Sequence, residues 1–246
     1  MKYRLVISLI AFMAPFFCKA QQDNGNNFDT MEVVEYLVPD YDKIGKAIKD
    51  KNSEFYYPNL VKMLANADTS ITLEQLHYLY YGYVLQDNYD PYLRSDEEKQ
   101  ALDILNKDDV SEKEARKVIK LMDKAVKEYP THLKLYFYRY VAECIAYGEN
   151  SKQASDDVFR YVALINAITA SGDGSDFKTA LHVAIVNHSY SVMSYYGIHN
   201  TSQSLQSDDS GQMYDVFPLE ENEFDLEKLY VNVTPCLNYW SKIFGE

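Results

Sequence analysis

The sequence predicts an α+β fold: antiparallel helical hairpins first, then a small antiparallel β-sheet and a closing C-terminal helix. Three observations predict it. Between Pro39 and Gly172 apolar residues recur at helical intervals. After Gly172 the period changes to two, in LHVAIV (181–186), MYDVF (213–217) and KLYVNV (228–233). Thr234-Pro235 then opens a last helix, with Thr as cap and Pro at N1. Helices followed by strands, each segregated along the chain, is the pattern of α+β domains.

The first twenty residues, MKYRLVISLIAFMAPFFCKA, read as a signal peptide. Lys2 and Arg4 precede a thirteen-residue apolar run, Leu5 to Phe17. That run is shorter than the roughly 20 residues a bilayer span takes. Small residues at 18 and 20 place cleavage between Ala20 and Gln21. Residues 21–39 follow as a polar, glycine-containing tether. The helical portion is expected over 40–172, and the sheet with its closing helix over 173–246, the two packed as one unit.

Each helix has its own start. Asp40 opens a short one through Ile44, Ala47 and Ile48, and SEFYYPNLVKML supplies the next. Thr72 with Gln75, Ser95 with Glu98 and Ser111 with Glu114 have capping-box spacing. Pro130 ends the third of these helices. Leu133, Phe137, Tyr140 and Cys144 then form a stripe that stops near Gly148, and Val158, Val162, Ile165 and Ile168 form another. Short connections imply antiparallel neighbours. Ala125-x4-Pro130 matches the close of a tetratricopeptide repeat, but the other repeat positions are out of register, so the packing is read as a degenerate version. SGDGSD (171–176) is a turn cluster, and TSQSLQSDDSGQ is read as irregular.

LHYLYYGYVLQDNYDPY (76–92) carries six of the chain's 23 tyrosines. A helix apolar nearly all round is a buried helix, with each ring inside and each hydroxyl led to a polar partner. Tyr80→Ala is therefore expected to cost roughly 3 kcal/mol. Tyr89 and Tyr92, in the turn DNYDPY, are expected at the surface, where Tyr89→Ala should cost well under ~1 kcal/mol.

Charge and cysteine content narrow the function. Cleavage removes Lys2, Arg4 and Lys19, leaving 21 Lys+Arg against 37 Asp+Glu, a net charge of −16. Such a surface repels nucleic acid and anionic membranes. Cys144 and Cys236 remain, as a disulfide or as two free thiols. The histidines form no HExxH motif, and GxSxG and GxxxxGK[ST] are absent. No cofactor, metal site or catalytic residue is expected. SGDGSD lacks the ligand pattern of a calcium loop.

The segments YLYYGYVLQDNYDPY, DTSITLEQ, ITASGDGSDFKTALHVAIVNHSYSVMSYYGI and LYVNV resemble a Bacteroidetes family of exported proteins catalogued as domain of unknown function 4919. The resemblance covers residues 40–246. It implies a Gram-negative source and export to the periplasm or beyond, and it implies no activity. Three functions fit the residues. The leading one is a non-catalytic interaction module of the cell envelope, with another envelope protein as partner. The second is a small-ligand or glycan binder using Tyr89, Tyr92, Tyr195 and Tyr196. The third is a hydrolase assembled around His182, His188 and nearby acids.

Overall fold

The computed structural model describes residues 35–92 and 94–244, with side chains to residue 239. The expected signal segment, the expected cleavage point between Ala20 and Gln21 and the expected tether to residue 34 lie outside the described residues. So do the side chains of Trp240, Ile243 and Phe244.

The chain is α+β. Its helices are α1 (Tyr41–Ala47), α2 (Tyr57–Ala65), α3 (Leu73–Gly82), α4 (Asp96–Leu105), α5 (Glu112–Glu128), α6 (Leu133–Tyr147) and α7 (Lys152–Thr169). Strand β1 (Leu181–His182), helix α8 (His188–Tyr195), strands β2 (Ser204–Ser207), β3 (Met213–Pro218) and β4 (Lys228–Asn232), and helix α9 (Thr234–Phe244) follow. Asp40 caps α1 through the Asp42 and Lys43 amides. Thr72–Gln75 and Ser111–Glu114 close full capping boxes. Ser95 caps α4 by accepting from the Glu98 amide. Gly148, at φ +91°, ends α6 in a conformation that costs glycine little.

The sheet order is β1-β4-β3-β2. It is mixed, because β1 joins β4 in parallel with Leu181 opposite Val231, while β2, β3 and β4 run antiparallel. A parallel pair needs a long crossover, and α8, β2 and β3 supply it. One face of the sheet sends Leu181, Phe217, Leu229 and Val231 into the main core, shared with α1, α2, α3, α7 and α8. Tyr214 and Val216 on the other face pack with Ala180, Phe177 and Tyr230. A second cluster joins α4, α5, α6 and the start of α7.

Several expectations are corrected. LHVAIV continues as a strand only through His182, yet Val183, Ala184 and Ile185 are fully buried. Its backbone leaves the ladder because other groups take its hydrogen bonds. The Ala184 amide donates to Tyr80 Oη (3.2 Å) and the Val186 amide to the Pro91 carbonyl (3.2 Å). Tyr81 Oη donates to the His182 carbonyl and Tyr89 Oη to the Ala184 carbonyl, both at 2.9 Å. The run read as irregular contains β2, which pairs at the sheet edge with all four residues exposed and so carries no alternating pattern. His188 begins α8, a helix whose mixed polar and apolar residues show little periodicity in the sequence. On α6 the buried set is wider than the expected stripe, because α5 and α7 cover two sides: Tyr136, Arg139 and Glu143 are buried while Cys144 is half-buried. The tether's end is held to the fold, with the Leu37 amide on the Ala170 carbonyl and Tyr36 Oη on Asp173.

Glycines in the SGDG turn are fixed by space. A Cβ on Gly172 would lie 2.1 Å from the Thr179 carbonyl oxygen. Gly174 sits at φ +74° and passes its carbonyl to the Tyr230 amide, so the turn is stitched to β4. Asp173 and Asp176 are occupied in the same turn by Ser175, Lys178 and Thr179.

Candidate functional site

A cleft of about 1020 Å³ opens where residues 38–41, residues 84–89, the sheet end and the start of α9 meet. Tyr83 shapes its first wall. Its hydroxyl donates to the Asn88 carbonyl (3.4 Å) and accepts from the Asp90 amide (3.3 Å), which folds the chain after α3 into a tight turn. That turn carries Tyr89 inward, against the Tyr83 ring at 5.3 Å and the Tyr239 ring at 5.7 Å, both edge-to-face. Tyr89 Oη also contacts Cys236 Sγ (3.8 Å), and burial raises its pKa strongly. Cys236 is fully buried and burial pushes its thiol up to about 12, which leaves it protonated and inert. Cys144 and Cys236 are both free.

The opposite wall is the outer face of the sheet. Phe177 packs on Tyr214, centroids 4.9 Å apart. Asp208 organises the β2–β3 turn by accepting from the Ser210 and Gln212 amides and from Tyr214 Oη. Thr234 Oγ1 accepts from the Met213 amide (2.8 Å), tying α9 to β3. Asn232 accepts from the Thr234 amide and donates to Gln212 Oε1. These bonds leave specific groups facing the cleft. Asn238, the His182 imidazole and Gln212 Nε2 have no hydrogen-bond partner among the described residues, and Lys178 and Asp87 line the same space. Burial, with the nearby His77, lowers the His182 pKa to about 4, so this ring is neutral near pH 7. His77 is likewise held at about 4, by burial and then by Lys43.

Two residues nominated from sequence, Tyr89 and His182, line this cleft. Tyr89 is half-buried with its hydroxyl bonded, so the surface position expected for it is corrected. Tyr92, Tyr195, Tyr196 and His188 do not line it. Tyr92 is half-buried, its amide on Asp90. At the end of α8, Tyr195 meets Tyr161 at a tilt, and Tyr196 meets Phe224 edge-to-face. His188 is fully buried and works inside the core. Its Nε2 accepts from the Leu133 amide (3.2 Å), so the neutral ring carries its proton on Nδ1 and donates to Tyr80 Oη (2.7 Å). Burial, then His132 and Lys134, lowers its pKa well below the usual range. His182 and His188 therefore do not converge on one site. Sequence reading misses Phe177, Gln212, Asn238 and Tyr239. Only the turn residues around Asp208 and the Thr-Pro helix start hint at a structured rim there.

Among the described residues no three His, Cys, Asp or Glu side chains group as metal ligands, and no helix is long and apolar enough to cross a membrane. A second, apolar groove of about 640 Å³ lies between the start of α3, α6 and α7, with Leu73 45% exposed at its rim.

Fold and site together define an α+β protein with a mixed polar and aromatic cleft at the junction of its helical portion and its sheet. The chain belongs to the family described as "Domain of unknown function (DUF4919)", whose model matches residues 42–242. No curated protein and no solved structure matches it.

Proposed function

We propose that this is an exported, non-catalytic binding protein that holds a small polar ligand in the cleft between the sheet face and α9. One observation carries the reading: several polar side chains line a single cavity without a hydrogen-bond partner among the described residues, beside aromatic carbon. A large pocket with a few convergent polar groups is where small-molecule sites are found. Nothing in the cleft favours hydrolysis. Its histidine is a weak base near pH 7, and the second histidine that such a site would use is spent on Tyr80 and Leu133. Export rests on the N-terminal sequence, and an acidic surface suits a protein outside the cytoplasmic membrane.

A thermal-shift screen of small polar compounds tests this, run on wild type and on the double variant Asn238→Ala/Gln212→Ala. Compounds that raise Tm only in wild type support the cleft. Equal shifts in both proteins, or none in either, overturn it.

A second reading, an interaction module of the cell envelope, is favoured by the apolar groove between α3, α6 and α7. Crosslinking from envelope extracts with wild type and Leu73→Glu separates the two. A stoichiometric partner lost on substitution would move the function to the groove.

A further inference from the structure

We propose that the cleft ligand is an uncharged saccharide, an inference that rests on the binding reading above. Charge speaks first. Lys178 is the one cation lining the cleft among the described residues, and Asp87 and Asp208 line it too. A carboxylate or phosphate is normally met by several cationic donors, often a bidentate arginine. Here an anion would meet one lysine, two acids and a chain of net charge −13, or −16 once residues 1–20 are removed. A cationic ligand would meet Asp87 and Asp208 but also Lys178, and the acceptor oxygens of Asp208 are already engaged by Ser210, Gln212 and Tyr214, so charge pairing uses few of the groups that line the cleft.

The uncharged groups are the better match. Asn238 offers an amide donor and acceptor, Gln212 Nε2 a donor pair, and the neutral His182 ring one donor and one acceptor. A hydroxyl is itself both donor and acceptor, so a row of hydroxyls pairs with such groups without leaving a buried charge. The aromatic walls complete the match. A pyranose ring has an apolar C–H face, and the Tyr89–Tyr239 and Phe177–Tyr214 pairs line the cleft with aromatic carbon. Volume points to more than one sugar unit, because about 1020 Å³ is at the upper end of small-molecule sites. A purely apolar ligand would strand every one of these polar groups.

The test is calorimetric titration of the full chain with neutral trisaccharides of glucose, mannose and N-acetylglucosamine, alongside uronic-acid and amino-sugar trisaccharides. Asn238→Ala/Gln212→Ala is titrated in parallel. A neutral trisaccharide should bind, and the charged ones about tenfold or more weaker. The double variant should lose on the order of tenfold in affinity, as expected for one or two hydrogen bonds. Preference for a charged trisaccharide, or neutral binding that the variant leaves unchanged, overturns the proposal. Failure of every trisaccharide while other small polar compounds bind the cleft overturns the saccharide class and leaves the binding reading standing. Failure of all compounds removes both.

Discussion

The α4–α7 layer and the junction of α3 with the sheet solve the same problem in opposite ways. In the helical layer, buried charge is paired between side chains. Asp157 is fully buried and takes two bonds from Arg139 (2.7 and 2.6 Å) and one from Arg160 (2.5 Å), while Arg139 also reaches Asp123. At the junction, polar groups are uncharged, and tyrosine hydroxyls stand in for a missing strand by bonding the backbone of residues 182–184. The helical layer closes its charges on one another and leaves an apolar groove beside α3. The junction closes on its inner side and stays open toward the cleft, where the proposed binding site lies.

The largest effect should come from the helical layer. Asp157→Ala would leave Arg160 buried without its carboxylate and Arg139 with only the exposed Asp123, a loss of about 3–5 kcal/mol in chemical denaturation. A loss under about 1 kcal/mol would show that water reaches the cluster and that the layer is not closed.

Tyr80→Ala follows, at about 3 kcal/mol for deletion of a fully buried ring. Tyr80→Phe separates ring from hydroxyl. It should still cost about 1–3 kcal/mol, because the Ala184 amide and His188 Nδ1 each lose their partner. A neutral Tyr80→Phe would break the account of hydroxyls replacing a strand. Tyr89→Ala comes next, at about 2 kcal/mol, between the cost of a core ring and that of a surface one. The turn sequence DNYDPY by itself suggests a far smaller loss. A midpoint close to wild type would restore that reading and detach Tyr89 from the junction.

The two regions should also respond to pH with opposite sign. Burial, then Asp157, raises Glu143 on α6 to about 8, so the folded carboxyl keeps its proton while the unfolded one releases it above about 4.3. Its contribution is thus lost as pH rises toward 8. Glu143→Gln should make Tm at pH 9, relative to pH 6, higher than in wild type. His77 and His182 are held near 4, so the unfolded chain takes up protons below about 6.5 that the folded chain refuses. Their contribution is lost as pH falls from 6.5 toward 4. Replacing both by Gln should make the acid side of the Tm profile less steep, with His188 keeping its share, and leave the alkaline side in place. One variant moving both sides would show that the layer and the junction titrate as a single unit.

What is legible in the sequence follows the same division. Helix starts are written in side chains at fixed offsets, so Asp40, Thr72 and Ser111 stand out from the residues alone. The buried tyrosine helix is legible because apolar residues all round leave few other options. Long-range bonds leave no local trace. Nothing in LHVAIV says that Tyr80 will take the Ala184 amide across 104 positions, and so its alternation suggests a longer strand than forms. β2 and α8 escape notice for want of periodicity. The cleft is half legible: Tyr89 and His182 can be named from sequence, but Gln212 and Asn238 are ordinary polar residues until a fold places them together.

Backbone amide chemical shifts of the wild-type chain, followed by NMR while a pooled panel of neutral trisaccharides is added, test the central claim most directly. The account predicts perturbations confined to residues 84–89, 177–182, 208–214 and 232–239. Shifts clustered instead along α3, α6 and α7, or none at saturating ligand, would contradict it.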